Sequence, residues 1–342
     1  MTPALGLAFL VVFTLSLNLA AAVQEWARHR LLDIPNERSS HSKPTPRGGG
    51  LAIVVAFLGA VMWLWWSGHV AATLAMALIL GGGLLAAVGF MDDRRSLPAA
   101  PRLAAQILAV LAGLTILGGV DALPVGDKVW EPGRIGWALA FVGLVWLVNL
   151  TNFMDGIDGL VGSHTIFVAA GGGLLCWLTG ASGAAQLLLL LAAATLGFLV
   201  FNWPPARIFM GDVGSGFLGF VIGLVAIATS AQVSLWAWGI LLAPFMADAT
   251  VTRAMRIARY RDWTGAHRSH VYQRLARRWS GHRHVVHAYW LVSLLAMLPL
   301  AVIAALMPAT GWMLMPAVWL VCFVAAAALG AGRDEDLLQK NA

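Results

Sequence analysis

Apolar residues in this chain come in long unbroken runs. They show neither the alternation of half-buried strands nor the narrow stripe of a surface helix. Runs can be read at 3–23, 49–66, 70–91, 103–120, 134–150, 160–180, 184–203, 213–230, 234–251, 286–307 and 311–330. Each is close to the roughly 17–25 residues that a helix needs to cross a bilayer. They predict eleven membrane helices, with ten as the alternative count because MPATG barely separates the last two. Several runs are rich in glycine, as in GGGLLAAVG at 81–89, and small residues let membrane helices pack closely. Composition agrees: 60% of the 342 residues are hydrophobic and 11% charged, where a soluble domain carries roughly 25% charged. The fold class is therefore an all-α polytopic integral membrane protein. One membrane domain covers 1–330, with a large polar loop at 252–285 and a short tail at 331–342.

Charge orients the spans. With the amino terminus outside, the inside segments are 24–48, 92–102, 151–159, 204–212, 252–285 and the tail. They hold all of the 22 Lys and Arg residues except Lys128 and Arg134. That asymmetry is a strong positive-inside signal. It predicts a periplasmic amino terminus and a cytoplasmic carboxyl terminus. The first run resembles a signal peptide only in the AAA at 20–22, because Arg28 and Arg30 follow it and no basic residue precedes it; a signal peptide has the reverse order. The net charge of +6 marks orientation, not nucleic-acid binding. Cys176 and Cys322 both lie in apolar runs and form no CxxC pair, which argues against a disulfide framework and a zinc site.

The polar motifs now fall on one membrane face. NLTNFMDGIDGL at 149–160 places Asn149, Asn152, Asp155 and Asp158 three residues apart. On a helix such positions drift only about 60° per step and share one side. Gly156 and Gly159 suggest that the helix breaks there and that backbone is closely approached. An interfacial Asx-rich turn is the bland alternative, but amides and carboxylates at membrane depth are costly without a function. MDDRRS at 91–96 adds Asp92 and Asp93 at a helix end, where carboxylates oppose the helix dipole. In FNWPPARIFMGDVGSG at 201–216, Pro204 and Pro205 end one helix and Asp212 opens the next. Asp212 is either an ordinary N-cap or part of a helix-start site with free N–H groups and an oxygen ligand for a metal. An all-oxygen set of Asp and Asn suits Mg²⁺ or Mn²⁺. The 252–285 loop carries nine arginines, among them Arg268 between His267 and His270. Most read as a belt for anionic lipid heads, while Arg268 is a strong partner for phosphate oxygens. Together these groups suggest phosphoryl transfer at a membrane surface, between a soluble phosphorylated substrate and a lipid phosphate. In such chemistry the protein mainly positions groups and neutralises charge.

MDDRRS, NLTNFMDGIDGL, FNWPPARIFMGDVGSG and HRSHVYQR, in that order, resemble the polyprenyl-phosphate N-acetylhexosamine-1-phosphate transferase family over about residues 1–285. The resemblance implies a multi-pass protein of the bacterial inner membrane. Its site would be cytoplasmic, its lipid acceptor undecaprenyl phosphate, its donor a UDP-N-acetylhexosamine and its cofactor Mg²⁺, with Mn²⁺ as a substitute. It implies that Asp92 and Asp93 lie near the lipid phosphate, one of them as a base, and that Asn152 and Asp212 hold the metal. Asp155 and Asp158 match acids that support the nucleotide site, and Asn202 an Asn near the nucleoside. His270 and Arg268 match the loop that meets the diphosphate and sugar, with Asn149 and His267 as further substrate-binding candidates. Many relatives carry a His cluster in this loop; here only His270 fits it, and Tyr272 and Gln273 take the other positions. HRSHVYQR looks like the branch devoted to O-antigen and surface polysaccharide, which argues against the peptidoglycan translocase. Two other classes remain. A transporter would bury its acids in mid-span and repeat its halves, yet all but Asp248 of the membrane-associated acids named here fall at span ends. A non-catalytic scaffold would leave the Asn/Asp spacing unexplained. Nothing in the sequence favours a monomer over a homodimer.

Overall fold

The computed structural model describes residues 2–35, 43–120, 122–259 and 267–333. It is a helical bundle: α1 (Pro3–Ala27), α2 (Gly50–Trp66), α3 (Ala72–Arg95), α4 (Ala99–Leu117), α5 (Gly133–Met154), α6 (Leu160–Leu178), α7 (Ser182–Asn202), α8 (Asp212–Ala228), α9 (Leu235–Arg259), α10 (Val271–Arg278), α11 (His282–Val292), α12 (Leu298–Leu306) and α13 (Pro308–Ala328). A π-helical turn at Ser293–Met297 joins α11 to α12 into one long span. Two short antiparallel ribbons complete it: β1 (Leu32–Asp33) with β2 (Thr45–Pro46), and β3 (Leu123–Val125) with β4 (Lys128–Trp130). Among the described residues, nine helical spans are long and apolar enough to cross a membrane, and α2 and α8 are further apolar helices of 17 residues each. The protein is thus an all-α polytopic membrane protein.

Burial sorts these helices into a centre and a rim. α8 is apolar on every side and buried on nearly every side, as a helix in the middle of a bundle must be. It packs chiefly on α3 and α5, and α2 flanks it. α1 and α13 are equally apolar, yet Leu7, Leu10 and Val11 on the first and Leu320, Val321 and Val324 on the second are exposed. Only a lipid environment suits so much exposed apolar surface.

The ends of α3, α5, α7 and α9 meet the starts of α4, α8 and α10 at one end of the bundle, called the site end below. The β3–β4 ribbon closes the opposite end against α13, and Trp236 Nε1 donates to Pro124 O at 2.7 Å.

Three boundaries differ from the hydropathy reading. The ninth helix continues past residue 251 to Arg259, and α10 forms within the polar segment 252–285. The apolar run marks where the chain leaves lipid, whereas helical hydrogen bonding continues until something stops it. Only Met307 separates α12 from α13, so the last two spans are distinct but abutting. And α5 ends at Met154. Asn149 and Asn152 therefore share a helix, while Asp155 and Asp158 lie in the turn beyond it, not on a continued helical face. Residues 260–266, including Arg261, and the tail from 334 lie outside the described residues.

Candidate active site

The site is built around the start of α8. After α7 the chain returns as an extended segment at 208–210 that is stitched to residues 46–50. Phe209 N–H donates to Pro46 O at 2.8 Å, and the N–H groups of Gly49 and Gly50 donate to Phe209 O and Met210 O, each at 2.9 Å. Gly211 then turns at φ +76°, and a Cβ there would sit 2.4 Å from Asp93 Oδ2. Only glycine allows both the left-handed backbone and the close carboxylate. The carboxylate of Asp93, from the end of α3, accepts the N–H groups of Asp212 (3.0 Å) and Val213 (3.2 Å). Thus α8 is capped by a residue from another helix. Gly211 holds the N-cap position and Asp212 the first helical one. The expectations of Asp212 as an N-cap and of free N–H groups at this helix start both give way to this arrangement. Arg47 braces Asp93 by donating to its carbonyl, with Nε 4.0 Å from Oδ1.

Freed from capping, Asp212 faces outward into a cluster. Its Oδ1 accepts from Asn152 Nδ2 at 2.8 Å and its Oδ2 from Arg102 Nη1 at 3.2 Å. The same Nη1 donates to Asp92 Oδ2 at 2.9 Å, and Asn152 also donates to Ser215 Oγ at 3.0 Å. The carboxylates of Asp92 and Asp212 lie within hydrogen-bonding reach of each other. Two acids so close need a cation or a proton between them, and Arg102 supplies one cation.

The 155–159 turn packs beside this cluster. Burial, together with the charges of Asp212, Asp93 and Asp158, pushes the Asp155 carboxyl up to about 8, against one hydrogen bond from the Gly211 amide. Asp158 Oδ2 accepts from Ala206 N–H at 3.0 Å and lies 3.2 Å from His282 Nδ1. Asn202 is buried; its Oδ1 accepts from Gly159 N–H and its Nδ2 donates to Ile208 O, each at 3.0 Å. It clamps the turn to the 208–210 segment. Its amide is used within the protein rather than presented to a ligand.

The basic loop closes over the turn from α10. Tyr272, buried, donates its hydroxyl to Phe153 O at 3.0 Å, and a Cβ on Gly156 would stand 2.1 Å from that hydroxyl. Gln273 Oε1 accepts from His270 N–H at 3.3 Å. The two residues that replace a His cluster therefore anchor the loop. The rings of His267 and His270 stack at 5.2 Å, and Ser269 Oγ lies 2.9 Å from His267 Nδ1. Burial, with His270, Arg256 and Arg253 nearby, pushes the His267 imidazole down to about 3, so it is neutral. The carbonyl of Arg268 accepts both Arg277 Nη1 and Nη2 at 3.1 Å. One wall of the site is acidic and the other basic.

A cavity of about 500 Å³ leads away from the acidic wall between α3, α4, α5 and α8. Arg102, Asn149, Asn152 and Asp212 line its polar mouth, and Leu85, Val88, Leu103 and Val148 its apolar body. Asn149 Nδ2 donates to Gln106 Oε1 at 2.7 Å, which fixes its amide at the edge of this mouth.

A divalent cation fits the acidic wall by its chemistry. The donors are all oxygen, and the unrelieved negative charge around Asp155 is what a hard cation would neutralise. Among the described residues no three His, Cys, Asp or Glu side chains form a cage by themselves. Mg²⁺ does not require one, since it usually takes one or two carboxylates and completes its shell with water and substrate phosphate. Asp212 and Asn152 are the residues that could hold it.

Sequence reasoning missed Arg102, which it counted only as an orienting charge, and Arg47, which lay in an unremarked PTPRGGG segment. For Arg102 the available signal was a lone arginine at the polar start of an otherwise apolar span.

With this geometry in view, the comparisons with known proteins agree. Residues 74–230 match the family description glycosyl transferase family 4. The chain is 32% identical over 276 residues to a probable undecaprenyl-phosphate N-acetylglucosaminyl 1-phosphate transferase of Bacillus subtilis, covering 76% of this chain and 74% of that one. It is 33% identical over 241 residues to a decaprenyl-phosphate N-acetylglucosaminephosphotransferase of Mycolicibacterium smegmatis, covering 62% and 58%. A phospho-N-acetylmuramoyl-pentapeptide-transferase of Moorella thermoacetica is 37% identical over 172 residues, covering 46% and 54%. The chain belongs to glycosyl transferase family 4, the family of polyprenyl-phosphate N-acetylhexosamine-1-phosphate transferases.

Proposed function

We propose that this protein transfers an N-acetylhexosamine 1-phosphate from its UDP-sugar to undecaprenyl phosphate, releasing UMP. An oxygen of the acceptor phosphate forms the new bond to the sugar-bearing phosphorus. The bond between that phosphorus and the bridging oxygen breaks, and UMP leaves with the electron pair. The observation that carries this reading is the junction of an apolar cavity with a guanidinium and a carboxylate–amide cluster at one mouth. A prenyl chain suits the apolar body, and its phosphate suits the Arg102 end.

Arg102, held by Asp92, binds the acceptor phosphate. Its two carboxylate partners keep it oriented. Asp93 fixes the start of α8 and so the aim of Asp212. The acceptor phosphate is already ionised near neutral pH, so the step needs no strong base. Asn152 and Asp212 are the proposed holders of Mg²⁺, which when bound neutralises the diphosphate as charge moves onto the leaving group. Arg268 and His270 meet the diphosphate from the basic wall, and the 155–159 turn supports the nucleotide. The site end faces the cytoplasm, where UDP-sugars are found, in a bacterial inner membrane. The donor sugar is of the GlcNAc type and the product starts O-antigen or another surface polysaccharide; HRSHVYQR supports this branch.

The test is UMP release by purified protein given undecaprenyl phosphate and a panel of UDP-N-acetylhexosamines, with and without Mg²⁺. Release is expected only with lipid, metal and one or a few GlcNAc-type donors. Exclusive use of UDP-MurNAc-pentapeptide would replace the surface-polysaccharide role by the peptidoglycan one. Silence with every donor, from folded protein, would overturn the transfer itself.

A further inference from the structure

Behind the basic wall lies a buried carboxylate that the proposed chemistry does not use. Asp248 sits on α9 and is 2% exposed. Its Oδ1 accepts from Val271 N–H at 2.8 Å and Thr252 Oγ1 at 3.2 Å. Its Oδ2 accepts from Tyr272 N–H at 3.0 Å and the Tyr289 hydroxyl at 2.7 Å. A bare buried carboxylate is costly, and here donors from α9, α10 and α11 meet it. Capping a helix as short as α10 does not need such a charge, since a local Ser, Thr or Asn would serve. Position 270, at the start of α10, is instead a histidine, set in a capping box with Gln273. Its buried Nδ1 faces Asp248 Oδ1 at 3.5 Å. That is long for a hydrogen bond, and contacts of this kind commonly tighten when substrate binds.

We propose that Asp248 is a positioning residue for His270: it holds the Nδ1 side of the ring, so that Nε2 is the nitrogen presented to the UDP-sugar. The inference rests on the transferase reading. A carboxylate that accepts from one ring nitrogen fixes both the tautomer and the ring angle of a histidine. Four contacts keep the pair from drifting. Tyr289 and Thr252 lock the carboxylate rotamer. Gln273 holds the backbone of His270. Tyr272 ties the same turn of α10 to Phe153, at the edge of the acidic wall. The carboxylate thus links the depth of the bundle to a histidine that the proposed chemistry aims at the donor.

The test uses full-length protein with undecaprenyl phosphate, Mg²⁺ and whichever UDP-sugar the wild type accepts. Asp248→Asn keeps the shape but weakens the pull on Nδ1. It is expected to lower kcat/KM for the UDP-sugar about ten- to a hundredfold, as loss of a carboxylate behind a functional histidine does. The loss should include a raised KM for the UDP-sugar, with the KM for undecaprenyl phosphate unchanged. His270→Ala should give the same split, and Tyr289→Phe a smaller loss in the same direction. A fall in kcat with both KM values unchanged would mean a smaller folded fraction and would overturn the inference, as would unchanged kinetics. Should Asp248→Asn fail to fold, Tyr289→Phe carries the test with the same two outcomes. Silence of the folded wild type would overturn the transferase reading itself, which separates the two failures.

Discussion

Two helices at the site end start in the same way and stand among opposite charges. α8 starts under the Asp93 carboxylate, which accepts the N–H groups of Asp212 and Val213. α10 starts under the Asp248 carboxylate, which accepts those of Val271 and Tyr272. A helix N-terminus is ordinarily an inviting place for a substrate anion. Both are taken here by a fixed carboxylate from a different helix, so neither is left open. What differs is the company. Around α8 stand Asp92, Asp155 and Asp212, and Asp155 is pushed up to about 8. Around α10 stand His267, His270 and Arg256, and His267 is pushed down to about 3. The shared device sets position and the neighbours set sign. One start lies among acids and the other among basic groups.

The acidic side is expected to be the more sensitive of the two. Asp212→Ala is expected to lower UMP release by more than about a hundredfold while the protein still purifies as a folded species. Normal turnover in that variant would sink the assignment of Asp212 to the metal. The two arginines offer a subtler probe. Arg102→Ala should raise the KM for undecaprenyl phosphate, and Arg268→Ala the KM for the UDP-sugar. Each shift should be roughly tenfold, the size expected for one charge-assisted hydrogen bond. If both variants moved the same KM, the division into a lipid wall and a nucleotide wall would be wrong. The smallest effect concerns the seam between the walls. Gly156→Ala places a methyl against the Tyr272 hydroxyl and should destabilise the protein by about 1–3 kcal/mol. Tyr272→Phe should recover part of that loss in a thermal melt. Strictly additive losses would show that the two residues do not meet.

Much of this was legible in the sequence for simple reasons. Long apolar runs announce spans, because a bilayer demands length and apolarity together. Gly156 and Gly159 announced the end of α5 and the turn before α6. The prolines at 204 and 205 announced the end of α7. The membership of Asn152, Asp155 and Asp212 in one site was readable because a single membrane face collects them. What hydropathy could not supply was pairing. Arg102 reaches Asp212 across 110 residues, and Asp248 reaches Tyr272 from a different helix. Neither contact leaves a local pattern. Asn202 shows the same limit from the other side. Its motif suggested a place beside the nucleoside, whereas its buried amide is spent on Gly159 and Ile208. A motif identifies a residue the site requires, without saying whether it touches ligand or holds what does.

The cap on α8 also has a history in time. Asp93 and the amide of Asp212 are 119 residues apart. At a synthesis rate of about 5–20 residues per second, the acid is made on the order of ten seconds before the group it will bind. Through that interval the end of α3 must carry Asp92 and Asp93 without α8. Arg94, Arg95 and Arg102, which lie within ten residues of them, are the charges the nascent chain can offer meanwhile. The arginine that lines the mouth of the cavity in the folded protein is thus also made early enough to pair with these acids before α8 exists.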